Sequence, residues 1–469
     1  MPPHLPRSGV GGVIFPALPT GPAALALAVQ YQLRQSERWA AETLAAQQFR
    51  QLERLLAHAD RTMPFWRDRL RAAGIQPGET LTPETWARIP ILRRADAQEA
   101  GPALRCRSIP PAHGDLFDGA TSGSTGIPLT LFKTQAHLVL WRAFLLRDLL
   151  WHGVDLRGKW AALRRDPWGD AGPDQAVAAA KQGPRRFPDL GPEITDLFPT
   201  GPISIFEIRR PAQEQAAWLL REEPNYLSTF PSNLTGLAQR FRDLGTRPKR
   251  LRAIRTAGEA VTPDLRALVA ETLDVPILDV YSAEEIGYIA LQCPNPANPA
   301  DPDFHVMAEG VKLEILDDAD QPCPPGQIGR VVVTPLHNFA MPLLRYELGD
   351  YAEFGPPCPC GRGLPTLRAI RGRLRHGLRM PDGTRRAPYF GISFFRIAAI
   401  RQYQAAQTGP DTIELRLVTR RPLTAAEEAD LTTLVRNDLD PSFQVRFVYV
   451  DEIPRLPSGK YEEFRCELA

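Results

Sequence analysis

Near the start of the chain, apolar positions recur at helical spacing. Phe49, Leu52, Leu55 and Leu56 fall on one face of a 3.6-residue period, so residues 36 to 73 read as helices, interrupted at Pro64 before Phe65-Trp66. From about residue 115 the pattern changes to strand-like runs alternating with helices. Leu116 to Ala120 can end a strand or turn, Leu129 to Phe132 alternates like a strand, and Ala136 to Trp151 reads as a helix. Arg252 to Thr256 is a short buried strand. Thr262 to Leu273 is a helix with Thr262 as N-cap and Pro263 in its first turn, and Val275 to Val280 is the next strand. Such alternation predicts an α/β fold. Residues 306 to 354 are richer in strands, with Val311 to Leu316 and Arg330 to Val333 the clearest.

The pattern changes again near Arg371-Gly372-Arg373. Thr412 to Val418 alternates as a strand, and Val445 to Val450 is a last strand. Between them, Thr424 to Leu439 is a helix whose Thr424 and Glu427 form a capping box. The expected organisation is a large α/β domain over residues 1–370 and a small α+β domain over 371–469, without internal repeats.

Composition narrows the class. A hydrophobic share of 43% against 23% charged residues is that of a globular protein, and a formal net charge of +2 gives no reason to expect nucleic acid. No apolar run reaches the ~18 residues of a membrane span. The nearest, Val13 to Val29, is interrupted by Pro16, Pro19 and Pro22 and reads as an N-terminal arm packed on the body. Six cysteines in 469 residues are too few for a secreted disulfide scaffold, so a cytoplasmic location is expected.

The segment Thr121-Ser122-Gly123-Ser124-Thr125-Gly126 combines hydroxyl donors with glycines whose backbone N–H groups can turn toward an anion. It is not a Walker A loop, because no lysine follows Gly126, and it supplies only the last two glycines of a dinucleotide fingerprint. By itself it is either a phosphate-binding nest or a Ser/Gly-rich surface loop.

Four further segments bear on that choice: Ala257-Gly258-Glu259, Tyr281-Ser282-Ala283-Glu284-Glu285, Arg345 to Asp350, and Pro457-Ser458-Gly459-Lys460. In order and spacing they resemble the adenylate-forming superfamily of acyl-CoA synthetases and ligases, from about His58 to the C-terminus. Met341 to Tyr346, Cys358-Pro359-Cys360-Gly361-Arg362, and Ile286-Gly287 after Glu285 are most similar to phenylacetate-CoA ligase and its capsule-biosynthesis relatives. The resemblance implies a large adenylate-forming domain and a small mobile C-terminal domain. Thr121 to Gly126 would hold the β- and γ-phosphates of ATP. Gly258 and Glu259 would line the adenine pocket, with Tyr281 against the ring face and Ser282 beside it. Asp350 would accept hydrogen bonds from both ribose hydroxyls, Arg373 would reach the ribose or phosphates, and Glu285 would hold Mg2+. Lys460 would be catalytic, its ammonium stabilising charge as a carboxylate attacks the α-phosphate and pyrophosphate leaves.

Cys293, His305, Cys358 and Cys360 form a second constellation. A Cys3His set suits tetrahedral Zn2+ with no open position, a structural site, and some members of the phenylacetate-CoA ligase group resemble this arrangement. The alternative is reduced, unligated cysteines. At the hinge the sequence departs from the superfamily: Leu374-Arg375-His376 stands where acidic residues are usual. The acceptor after adenylation is therefore expected to be CoA, with an amine, or a catalytically silent relative, as alternatives. The carboxylate partner is expected to be aryl or hydrophobic, in a pocket drawn from Trp141, Phe230 to Asn233 and Arg164 to Trp168. A homodimer is a further expectation.

Overall fold

The structure is a computed structural model and describes residues 5–76, 78–120, 129–165, 183–373, 378–380, 385–386, 393–456 and 461–468. The chain divides into two compact units. One comprises residues 1–160, 187–203 and 278–370; the other comprises residues 161–186, 204–277 and 371–469.

The first unit begins with three helices, Gly21–Ser36, Ala41–Thr62 and Pro64–Ala72. The segment read from the sequence as an arm is helical from Gly21, because Pro22 falls in the first turn, where its missing N–H costs nothing. Pro64 likewise starts a helix. The strands of this unit run in the sheet order Val311–Leu316, Ile328–Pro335, Tyr346–Phe354, Thr366–Arg373, Phe304–Val306, Gly287–Gln292, Ile277–Ala283. Val311–Leu316 pairs antiparallel with Ile328–Pro335, as does Ile277–Ala283 with Gly287–Gln292. Trp66, Trp86, Tyr281, Ile289, Val331 and Tyr346 belong to one buried apolar cluster, so the motif strands are rooted in the core.

The helix Gln135–Trp151 begins at Thr134, whose Oγ1 accepts the His137 N–H at 3.3 Å. It carries a buried cation. Arg147 is 1% exposed; it donates to the Leu33 carbonyl at 2.6 Å and to both oxygens of Glu309 at 2.8 and 3.1 Å. Ser36 Oγ donates to the same carboxylate at 2.6 Å, joining the end of the first helix to this pair.

The second unit shows the expected alternation. The strand Tyr226–Thr229, helix Pro231–Leu244, strand Ala253–Ala257 and helix Pro263–Leu273 follow one another, and the two strands pair in parallel. Thr262 caps its helix as expected, accepting the Leu265 N–H at 3.0 Å. The C-terminal part of this unit has its own sheet, in the order Gln444–Tyr449, Thr412–Thr419, Ile400–Gly409, Phe464–Cys466, and its own apolar core around Phe394, Tyr403, Leu415, Leu431 and Phe443. The helix Ala425–Asp438 carries the full Thr424–Glu427 capping box.

Removing one partner of a buried ion pair strands the other. Glu309→Ala is expected to lower unfolding free energy by about 3–5 kcal/mol, and an Arg147→Met/Glu309→Leu double variant by less. Urea unfolding monitored by fluorescence checks this; equal stability of the Glu309→Ala variant and the parent would contradict it.

Candidate active site

In the first unit, Tyr281 and Asp350 meet. Tyr281 lies near the end of Ile277–Ala283, where the register with Gly287–Gln292 shifts between Tyr281 and Ser282. Its Oη donates to Asp350 Oδ2 at 2.8 Å, and both residues are buried. Asp350 follows Gly349, whose φ of 85° is a conformation that only glycine adopts freely. The preceding Arg345 is the opposite case, an arginine at φ 44°. Its conformation is over-determined: its N–H donates to Thr334 Oγ1 at 2.8 Å, and its Nη1 donates to the carbonyls of Ala87 and Ile89 at 2.6 and 2.7 Å. Glu314 neutralises its charge at 3.1 Å. The arginine of this motif is thus a scaffold residue.

Glu285 is 3% exposed, and its Oε1 receives Arg94 Nη1 at 2.8 Å. The same Nη1 donates to the Tyr346 hydroxyl at 3.3 Å. Arg94 is a candidate site residue that the sequence did not point to. A single buried carboxylate fits Mg2+, which takes most of its ligands from phosphates and water, and Arg94 would share that carboxylate with the cation. Glu284 next to it points elsewhere and pairs with Lys133 at 2.7 Å. Immediately after Glu285, Ile286, Gly287 and Tyr288 line a shallow depression with His137, Trp141 and His337, with room for about one water. The rings of Trp141 and Tyr288 lie 5.8 Å apart, tilted by 42°.

The cysteine–histidine constellation assembles in the same unit. One ligand atom from each of Cys293, His305, Cys358 and Cys360 lies within 4.8 Å of the others. Cys293 follows Gly287–Gln292, His305 lies in Phe304–Val306, and the two remaining cysteines lie in the loop before Thr366–Arg373. Cys293 Sγ and Cys358 Sγ are 3.7 Å apart, and Cys360 Sγ is 3.3 Å from His305 Nε2. Zn–S bonds of ~2.3 Å imply tetrahedral S···S edges of ~3.8 Å, so the set fits zinc. Burial pushes the His305 imidazole down to about 4, and the nearby Arg362 guanidinium acts in the same direction. Burial raises the Cys360 thiol, but hydrogen bonds from Arg362, Cys358 and Cys293 together outweigh it and bring the thiol below its ordinary value. Burial pushes the Cys293 thiol up to about 12 and raises that of Cys358, so these two would lose their protons only on binding a metal, whereas the neutral imidazole is already the form a metal takes. Arg362 also lies 4.3 Å over Trp151 and 3.6 Å from Glu37. All six cysteines are unbridged.

In the second unit, Gly258 ends the strand Ala253–Ala257 with φ 81°. Both oxygens of Glu259 are engaged by backbone N–H groups, Oε2 by Ser232 at 2.9 Å and Oε1 by Tyr461 at 3.2 Å. Ser232 opens the helix Pro231–Leu244, so Glu259 satisfies one of its otherwise unpaired N–H groups at the positive end of the dipole. The resemblance implies a place for Glu259 beside an adenine ring; here its carboxylate bridges the N–H groups of Ser232 and Tyr461. Thr121 to Gly126, the hinge residues Leu374 to His376, Asp166 to Trp168, Lys460 and the side chain of Arg373 lie outside the described residues.

No protein-family model matches the chain. Among curated proteins, it is 27% identical over 352 residues to a phenylacetate-coenzyme A ligase of Thermus thermophilus, covering 71% of each chain. It is 25% identical over 339 residues to the phenylacetate-coenzyme A ligase of Pseudomonas putida, covering 69% of this chain and 70% of that one. Among solved structures, a 2-hydroxyisobutyryl-CoA ligase in the postadenylation state, in complex with 2-HIB-AMP, superposes with a TM-score of 0.72. That match covers 92% of each chain at 18% identity. In sequence the chain is thus similar to phenylacetate-CoA ligases, and in fold to a CoA ligase in complex with an acyl-AMP.

His137 is 7% exposed, and burial, aided by Lys133 and His337, pushes its imidazole from 6.5 down to about 3. The folded state holds it neutral while the unfolded chain takes up a proton below pH 6.5, so this contribution is complete above pH 6.5 and declines as pH falls toward 3. Going from pH 7.5 to pH 5 should cost about 2 kcal/mol of stability through this residue. His137→Gln is expected to flatten the acid limb of stability against pH in denaturant titrations; an unchanged limb would count against the assignment.

Proposed function

We propose that the protein is an AMP-forming ligase that joins a carboxylic acid to CoA through an acyl-adenylate. The observation that carries this reading is the hydrogen bond between Tyr281 and Asp350. It brings an aromatic ring and a buried carboxylate from motifs 69 residues apart to one place, in a chain whose curated relatives are CoA ligases. A flat base can lie on the tyrosine ring, and the aspartate has the acceptors that a ribose diol needs.

In the first half-reaction a carboxylate oxygen bonds to the α-phosphorus of ATP, the bond to the pyrophosphate oxygen breaks, and pyrophosphate leaves. We assign the grip on the triphosphate to Thr121, Ser122, Gly123, Ser124, Thr125 and Gly126, and the charge stabilisation of this step to Lys460. Glu285 would hold Mg2+, which neutralises phosphate charge when bound. Ser282 and Arg373 complete the nucleotide side, and Gly258 leaves room beside the ring. In the second half-reaction the CoA sulfur attacks the acyl carbon, and AMP departs with the oxygen that bridged it. CoA, rather than an amine, is the acceptor that the named relatives favour.

The proposal of an aryl or hydrophobic acid rests on the sequence, with the Trp141–Tyr288 ring pair at 5.8 Å as its aromatic support. We further propose that residues 371–469 act as a small domain delivering Lys460, and that residues 1–370 form the large one. A homodimer and a cytoplasmic location are proposals that rest on the sequence; among the described residues, no helix is long and apolar enough to cross a membrane. Cys293, His305, Cys358 and Cys360 would hold a structural Zn2+, which ties three segments of one unit together.

With ATP, Mg2+ and a panel of carboxylates, AMP should form only when both an acid and CoA are supplied. Lys460→Ala is expected to lose carboxylate-dependent pyrophosphate exchange while retaining ATP binding. AMP release that requires an amine instead, or none with any acid, would sink the reading. For the metal, atomic absorption should find about one zinc per chain, and chelation should lower the melting temperature. A zinc-free, fully stable and active preparation would remove the site.

A further inference from the structure

Residues 457–460 lie outside the described residues, but the residues on both sides of them are firmly bonded within the second unit. On the near side, Arg455 Nη1 donates to Ser232 Oγ at 3.1 Å, and its Nη2 donates to Asn233 Oδ1 at 3.2 Å. On the far side, Tyr461 gives its N–H to Glu259 Oε1 at 3.2 Å and its hydroxyl to the Tyr403 carbonyl at 2.7 Å. The Arg455 guanidinium lies 5.7 Å from the centre of the Tyr461 ring, so the two anchors also touch each other.

The receiving surface is rigid. Asn233 is 5% exposed, and its Nδ2 donates to Gln215 Oε1 at 2.8 Å and to Thr229 Oγ1 at 3.1 Å. This fixes which of its amide atoms faces Arg455. Gln215 is fixed in turn by the carbonyls of Ile208 and Arg210, at 2.8 and 2.7 Å. Ser232 is held from the other side by Glu259. The first turn of Pro231–Leu244 is therefore a preset socket for an arginine. A guanidinium with its planar fork of donors suits two oxygen acceptors on adjacent residues, where a lysine would supply a single point of charge.

We propose that Arg455 is a positioning residue for the adenylation step, holding the chain that leads to Lys460 in the socket formed by Ser232 and Asn233. This rests on the reading of Lys460 as the catalytic lysine. The anchor matters only while Lys460 must sit at the reacting carboxylate. Attack of CoA on an acyl-adenylate that has already formed has no need of it. Arg455 therefore affects one half-reaction and spares the other, a separation that a general loss of folding would not produce.

The test runs both half-reactions on Arg455→Ala, Arg455→Lys, Lys460→Ala and the parent protein. Pyrophosphate exchange is measured with phenylacetate, benzoate and 2-hydroxyisobutyrate, and thioester formation with CoA and the synthetic adenylate of whichever acid is active. Arg455→Ala is expected to lower exchange by roughly 10- to 100-fold, the effect of losing hydrogen bonds to a charged group, with thioester formation within about twofold of the parent. Arg455→Lys should recover part of the exchange. Parental exchange in Arg455→Ala, beside an inactive Lys460→Ala, would overturn the proposal alone. So would a parallel fall of both half-reactions. Parental exchange in Lys460→Ala, or no exchange with any acid in the parent, would overturn the underlying reading and this proposal with it.

Discussion

The hydrogen bond from Tyr281 to Asp350 is the contact on which the candidate site depends. In the sheet order, the strands bearing these residues are separated by Thr366–Arg373, Phe304–Val306 and Gly287–Gln292. Four strand spacings of about 4.8 Å would put them some 19 Å apart in a flat sheet. A 2.8 Å contact therefore requires the sheet of this unit to curl strongly. The curl is backed by the apolar cluster that includes Tyr281, Ile289, Val331 and Tyr346. It also brings a ring from near the end of Ile277–Ala283 and a carboxylate from the middle of Tyr346–Phe354 together, which no local sequence rule would join.

Buried charge is handled consistently throughout the first unit. Glu285 meets Arg94, Glu309 meets Arg147, and Glu314 meets Arg345, each at 2.8 to 3.1 Å. Each arginine also spends donors on a backbone carbonyl, a tyrosine hydroxyl or a thioether. A buried ion pair stabilises little unless its remaining donors and acceptors are satisfied; here most of them organise rigid supports, while Arg147 Nε stays buried without an acceptor among the described residues. The Arg94–Glu285 pair differs from the others in place: it sets a guanidinium 2.8 Å from the carboxylate proposed to hold Mg2+. The Cys–His cluster extends the same logic to its surroundings, with Arg362 linking Cys360 to Trp151 and Glu37.

Much of this was legible in the sequence where the physics is local. Thr262 and the Thr424–Glu427 box cap the helices expected of them, because capping depends on residues three positions apart. The cysteine–histidine cluster was legible through residue type, since few side chains offer a thiolate or an imidazole. The N-terminal helix from Gly21 was not, because prolines that end a helix in mid-course also begin one. Arg94 was not legible either: its partner is 191 residues away, and arginine is abundant in this chain. The same holds for Arg455, whose socket lies more than two hundred residues earlier and is made of serine and asparagine, residue types common in any loop or helix start.

In the proposed reaction the carboxylate passes through an acyl-adenylate. Isotope transfer tests it most directly. With a carboxylic acid labelled in both oxygens with 18O, one labelled oxygen bridges the acyl carbon and the α-phosphorus, and it stays on phosphorus when CoA attacks the carbon. The acyl-adenylate route predicts AMP carrying one 18O, read by mass spectrometry, for each thioester formed. Unlabelled AMP, or label appearing in inorganic phosphate beside ADP, would contradict it.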